Sequence, residues 1–240
     1  MVVYAFRDIS WQYVIMEDST VKKPLFDSSA RLKSVRSWLS SHKQIDALLL
    51  VRQEMIEDSD LRYMTGFTGS SGYAVVTAEK ALFFTDSRYV EQASLQCLGW
   101  HTKPHGRPAV KVLAAELESE KIDRMAFDPN GLTVSLWEEL RVGLTKTILE
   151  PVKGIIADLR LQKEPTEIAS IAEACSVSDA AFLDLLKILR PGLRERDVAH
   201  QLENLLYDHG AEALAFDSIV ASGPNSAFPH IQPSGRQLSV

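Results

Sequence analysis

The side chains able to do chemistry are few, and their spacing excludes several kinds of site. The six histidines are His42, His101, His105, His200, His209 and His230. None stands in a His-Glu-x-x-His run, no pair four apart shares a helix face, and Cys97 and Cys175 form no Cys-x-x-Cys. No self-contained zinc site is therefore encoded. The sequence has no Gly-x-Ser-x-Gly, which removes the nucleophile elbow. Gly66-Phe-Thr-Gly69-Ser-Ser-Gly72 lacks the lysine and the following helix of a phosphate cradle. It reads as a tight loop whose glycines admit positive φ. Two places remain. His230 closes Ser222-Gly-Pro-Asn-Ser-Ala-Phe-Pro-His230, a loop after an expected strand, where positioned proton donors are often held. Arg88, in Thr85-Asp86-Ser87-Arg88-Tyr89, stands between a strand and a helix. Beside Tyr89 it could hold a substrate carboxylate through a bidentate contact, while Asp86 suits a helix cap. His200 and His209 share one helix and read as surface or interface residues.

The elements that must position these residues follow from hydrophobic period. Leu32, Val35 and Leu39 repeat at helical spacing, which predicts a helix over 29–42 with Ser28 or Ser29 near its cap. Ala47 to Val51 is short, continuous and apolar, the pattern of a strand buried on both faces. Tyr73 to Thr77 and Ala81 to Thr85 predict a hairpin turning at Ala78-Glu79-Lys80. A helix over 88–97, a strand over 124–128, a turn at Pro129-Asn130-Gly131, a helix over 134–144 and a strand over 147–149 complete an alternating α/β layer. Beyond Val152 the character changes. Pro165 and Glu167 suit the first turn of a long helix reaching Arg190, which Pro191-Gly192 stops. A second helix spans 195–209, with Gly210 as a left-handed cap. Phe216 to Ala221 predicts a strand, and Ser222 to Asn225 a turn. The first 25 or so residues read either as a loose, disordered extension or as the product of a start codon placed upstream of Met16.

The chain has 240 residues, 45% of them hydrophobic and 24% charged, with a net charge of −6. This composition excludes global disorder, and without a basic cluster it argues against nucleic-acid binding. The longest aliphatic run, Ala47 to Val51, is far short of a membrane span. No secretory h-region follows Met1 to Phe6. Two cysteines are too few for a disulfide framework and fit a reduced, intracellular setting.

Leu159-Arg160-Leu-Gln-Lys163-Glu-Pro-Thr-Glu167-Ile168, Ala174, Pro191-Gly192 with Glu195, Gly210, and Phe216 through Gly223 and Asn225 to His230 resemble the opening of the catalytic domain of the aminopeptidase P/prolidase/creatinase family. Leu61-Arg-Tyr63-Met-Thr-Gly66-Phe-Thr-Gly69-Ser and Phe84-Thr-Asp86-Ser-Arg88-Tyr89 resemble the creatinase-type N-terminal domain of the same proteins. The resemblance covers about residues 30–235, and the subgroup that cleaves Xaa-Pro bonds is the nearest. It implies an extension over 1–25, a creatinase-type N-terminal α/β domain over 26–152, and over 153–240 the start of an incomplete pita-bread α/β catalytic domain. It further implies a cytosolic homodimer hydrolysing the bond before proline in peptides. The implied cofactor is a pair of divalent ions, Mn²⁺ or Co²⁺ or else Zn²⁺, which activates a bridging water. The family's five ligands, two Asp, one His and two Glu, have no matching positions here. No metal is therefore expected in this chain, and the chain alone is expected to be inactive. His230 matches the family's non-ligand histidine, which meets the substrate and the tetrahedral intermediate. Two rival readings are a non-enzymatic peptidase-like binding module and a metal-free creatinase-like hydrolase with a histidine base.

Overall fold

A computed structural model describes residues 27–54, 59–106 and 108–239. The expected extension over 1–25, with Met16, lies outside them. The described chain forms two compact units, 27–162 and 163–239. Among the described residues no helix is long and apolar enough to cross a membrane.

The first unit is built on a six-stranded sheet. Its strands are β1 (Ala47–Arg52), β2 (Gly72–Thr77), β3 (Ala81–Thr85), β4 (His101–Pro104), β5 (Arg124–Phe127) and β6 (Ile148–Pro151). They lie in the order β4-β3-β2-β1-β5-β6. The hairpin β2–β3 and the pair β1–β2 are antiparallel; β1–β5, β5–β6 and β3–β4 are parallel. Because side chains alternate across a strand, the continuous run in β1 feeds two cores at once. Leu48 and Leu50 join one core with Ala74, Val76 and Phe83. Leu49 and Val51 join the other with Val75, Leu82, Phe84, Met125 and Phe127.

Helices cover both faces. On the first lie α1 (Ser29–Ser41), α2 (Ser59–Thr65), α3 (Val90–Gln96) and α6 (Ile155–Leu161), contributing Leu32, Val35, Leu39, Leu61, Met64, Ala93, Ile155 and Ile156. On the second lie α4 (Ala109–Ser119) and α5 (Val134–Gly143), contributing Val110, Leu113, Leu117, Leu136 and Leu140. Ser28 stands at the cap position of α1, yet its hydroxyl donates to Leu98 O at 3.3 Å instead of capping. In the loop 66–72 only Gly66 has positive φ, at 74°. Gly69 is required for a different reason: a Cβ there would sit 2.2 Å from the ring of Phe67, a fully buried side chain.

The second unit contains α7 (Pro165–Ile188) and α8 (Glu195–Asp208). Glu167 accepts from the backbone N–H of Glu164 at 2.9 Å, closing the first turn of α7 behind Pro165. Ala181 and Leu185 of α7 pack with Val198, Ala199, Leu202 and Leu206 of α8 and with Val220. Gly210, just past α8, has φ of 101°, the left-handed conformation expected of it. Phe216 to Ala221 is not a strand. Ser218 and Val220 are buried with period two, but no ladder partner lies beside them among the described residues, and a strand exists only by pairing. The turn expected at 222–225 is a 3₁₀ helix, Gly223–Ala227.

Candidate functional site

His230 lies in the second unit, on the loop that leaves the 3₁₀ helix and returns to the start of α8. That return is anchored by backbone pairing. Arg194 bridges Gln237, Glu195 N–H donates to Arg236 O at 2.9 Å, and Arg196 N–H donates to Ser234 O at 3.1 Å. These bonds satisfy N–H groups that the first turn of a helix leaves without partners. Arg194 at the cap position makes no side-chain capping bond, so the returning chain takes that role.

Glu195 fixes the loop from inside. It is fully buried, at 0% exposure. One carboxylate oxygen accepts from the Ser222 N–H at 2.7 Å and the Ser222 hydroxyl at 2.8 Å. The other accepts from the Ser234 hydroxyl at 2.6 Å and the Ser234 N–H at 3.2 Å. The Asn225 amide bridges both oxygens, at 3.2 and 2.9 Å. Every one of these donors is neutral. Burial pushes the carboxyl pKa up, but the bonds from Ser234, Asn225 and Ser222 outweigh it and hold the group down at about 2. Gly223, beside this cluster, has φ of 52°, and a Cβ there would stand 2.7 Å from the guanidinium of Arg236. The left-handed φ favours glycine here, whereas the Arg236 guanidinium, the end of a flexible side chain, could move aside.

The loop closes one side of a cavity of about 1000 Å³. Its apolar walls include Phe216, Ile219, Phe228, Pro229 and Ile231, and its polar rim includes His230 and His200. Ser218 also lines it; its hydroxyl is buried without a hydrogen-bond partner. The His230 imidazole is exposed at this rim. Hydrophobic period cannot reveal Glu195, Ser222, Asn225 and Ser234 as a cluster, since they are brought together across 27 to 39 residues of chain.

Arg88 lies in the first unit. Its guanidinium donates to Asp86 through Nε at 2.9 Å and Nη2 at 2.8 Å, and through Nη2 to Glu54 at 2.5 Å. The bond from Arg88 is the chief cause that lowers the Asp86 pKa to about 2, and Arg88 itself is raised by Asp86 and then Glu54. Asp86 is not the cap of α3, whose cap position is Tyr89. Asp86 instead accepts the Arg88 backbone N–H at 3.0 Å, a local turn that competes with capping. Ser70 and Tyr89 share a hydroxyl bond of 2.8 Å, which ties the glycine-rich loop to this corner. Cys97 is buried, and burial, partly offset by a bond with Thr65, pushes its thiol up to about 12.

Among the described residues, no three His, Cys, Asp or Glu side chains converge so as to hold a metal ion. The residues present therefore do not fit the carboxylate-rich set that a two-metal centre needs.

Residues 31–162 match the Creatinase/Prolidase N-terminal domain family. The chain belongs to the creatinase/prolidase family. Residues 169–240 match metallopeptidase family M24, whose chemistry implies divalent metal use. An uncharacterized peptidase of Bacillus subtilis (strain 168), YqhT, is 38% identical over 186 residues, covering 78% of this chain and 51% of the relative. The crystallised Xaa-Pro dipeptidase from Bacillus anthracis superposes with a TM-score of 0.81 at 32% identity, over 88% of this chain and 58% of that one. The X-Pro aminopeptidase from Thermotoga maritima MSB8 follows with a TM-score of 0.76 at 30% identity, over 83% of this chain and 57% of that one. This creatinase/prolidase chain thus spans about half the length of the curated relatives it matches.

Proposed function

We propose that this chain is part of an Xaa-Pro peptidase that hydrolyses the peptide bond before proline, with His230 as the group that meets the reacting carbonyl. The observation that carries the reading is the placement of His230 on the rim of an apolar-walled cavity, on a loop tied down at both ends. Its superposition on an Xaa-Pro dipeptidase supports the same reading. The apolar walls offer contact to a bound peptide's side chains, and an imidazole N–H at the rim donates to charge that develops on the carbonyl oxygen. Such a donor acts on the transition state more than on the ground state. No step is assigned to a metal here, because the residues present do not form a metal set. On this reading activity draws on metal ligands that the described residues do not supply, and unmodified 1–240 is expected to be inactive. Unpaired Cys97 and Cys175 suit the cytoplasm, and the resemblance suggests a homodimer. Arg88 is proposed to receive a substrate carboxylate in the place that Glu54 holds.

The test is a chimera in which residues 1–240 replace the aligned part of the Bacillus anthracis enzyme. It should cleave Xaa-Pro dipeptides with Mn²⁺ and discriminate against Xaa-Ala, while unmodified 1–240 gives no turnover in the same assay. Arg88→Ala in the chimera should raise KM and leave kcat unchanged. A folded, metal-loaded chimera that cleaves without proline preference would overturn the reading, and one with no turnover at all would favour a binding module. Turnover by 1–240 alone would contradict the inactivity.

A further inference from the structure

Glu195 is a buried carboxylate that no step above uses, and its surroundings are unusual for a charge. Buried carboxylates ordinarily face a cation or give up their charge. Here the donors are two serine hydroxyls, two serine backbone N–H groups and one asparagine amide, all neutral. They come from two separate stretches of chain. Ser222 and Asn225 precede His230, and Ser234 follows it. The carboxylate thus ties together the two limbs of the loop that carries the imidazole.

Resting on the reading of His230 as the reacting-site histidine, we propose that Glu195 is its positioning residue. One carboxylate, held rigidly in the first turn of α8, accepts from both limbs and so sets where the imidazole stands. A carboxylate is suited to this because it is acceptor-only and offers lone pairs on two oxygens to several donors. Glutamine is a poor substitute, since its amide nitrogen would face the donors of Ser234 or Asn225. The backbone pairing of Arg194 to Arg196 with Ser234 to Gln237 anchors only the returning limb. The outgoing limb at Ser222 and Asn225 is held to the returning one by the carboxylate and, besides it, by one longer bond from the Asn225 amide to the Ser234 hydroxyl at 3.3 Å.

The test is amide relaxation and hydrogen exchange by NMR on the whole 1–240 chain, comparing wild type with Glu195→Gln. In wild type the amides of Phe228, His230 and Ile231 should show order parameters near the rigid value of about 0.85. In Glu195→Gln they should fall below about 0.6. Exchange protection at Ser222 and Ser234 should drop about tenfold or more, with Leu202 and Leu206 unchanged. If Glu195→Gln does not fold, Ser222→Ala removes a hydroxyl donor to the carboxylate while keeping the Asn225–Ser234 bond, and should loosen the same amides. As a structural control, Leu202→Ala weakens the α7–α8 core and should leave the order at His230 intact in the folded molecules. A His230 segment as ordered as wild type in the folded variant would overturn the proposal. None of these readouts uses turnover, so a catalytically idle His230 would overturn the peptidase reading without touching them.

Discussion

A charge buried among neutral donors makes a folded protein sensitive to acid in a defined window. Glu195 has its pKa lowered from an ordinary 4.5 to about 2. A carboxyl depressed on folding contributes stability that is fully present above the unfolded pKa. That contribution is lost as pH falls from about 4.5 through about 2. We expect thermal melts followed by circular dichroism to show a loss of stability for wild type across that range, with a smaller loss for Glu195→Gln. Equal losses in the two proteins would show that Glu195 does not carry the effect. Asp86 also titrates near 2, through Arg88, and contributes acid sensitivity to the first unit in both proteins alike. Little of this was legible beforehand. The sequence marks His230 by its loop and Glu195 by its place in a family motif, but the bonds between Glu195 and Ser222, Asn225 and Ser234 are tertiary. Only the folded return of the chain makes them.

Elements were legible where their burial is symmetric or strongly periodic. Ala47 to Val51 announces a central strand because both its faces are covered, and it lies between β2 and β5. β4, His101–Pro104, was missed because an edge strand with exposed ends carries no apolar alternation. α6 was missed because seven residues give barely two turns of pattern. α4 did carry a signal in Val110, Leu113 and Leu117, all buried at helical spacing. Phe216 to Ala221 misled because β-rich composition reports a preference for burial and pairing, not the presence of a partner. The centrality of β1 gives a direct expectation. Leu49, 1% exposed, pairs with Val75 on one side and Phe127 on the other. Leu49→Ala should cost about 2–5 kcal/mol in urea unfolding of the first unit. A loss within the usual range for a surface substitution, about 0.5 kcal/mol, would contradict the two-core arrangement.

Across the whole chain, the two units differ in how completely their apolar surfaces are covered. The sheet of the first unit is packed on both faces, whereas α7 buries only Ala181 and Leu185. Leu183 is 59% exposed and Leu186 51%, with Ile168 and Phe182 also open to solvent. Exposed apolar side chains of this kind, gathered on one helix, favour association. Purified 1–240 should therefore scatter light increasingly with concentration, and Leu183→Lys with Leu186→Lys should reduce that scattering. Scattering unaffected by the pair would place the association elsewhere. The central claim concerns His230 itself. It is tested most directly by comparing kcat for Xaa-Pro hydrolysis in the chimera with and without His230→Ala, with bound metal measured in both by elemental analysis. The account predicts a loss of about a hundredfold or more at unchanged metal content, the cost of removing one donor to a developing oxyanion. Undiminished turnover, or metal lost together with the imidazole, would contradict it.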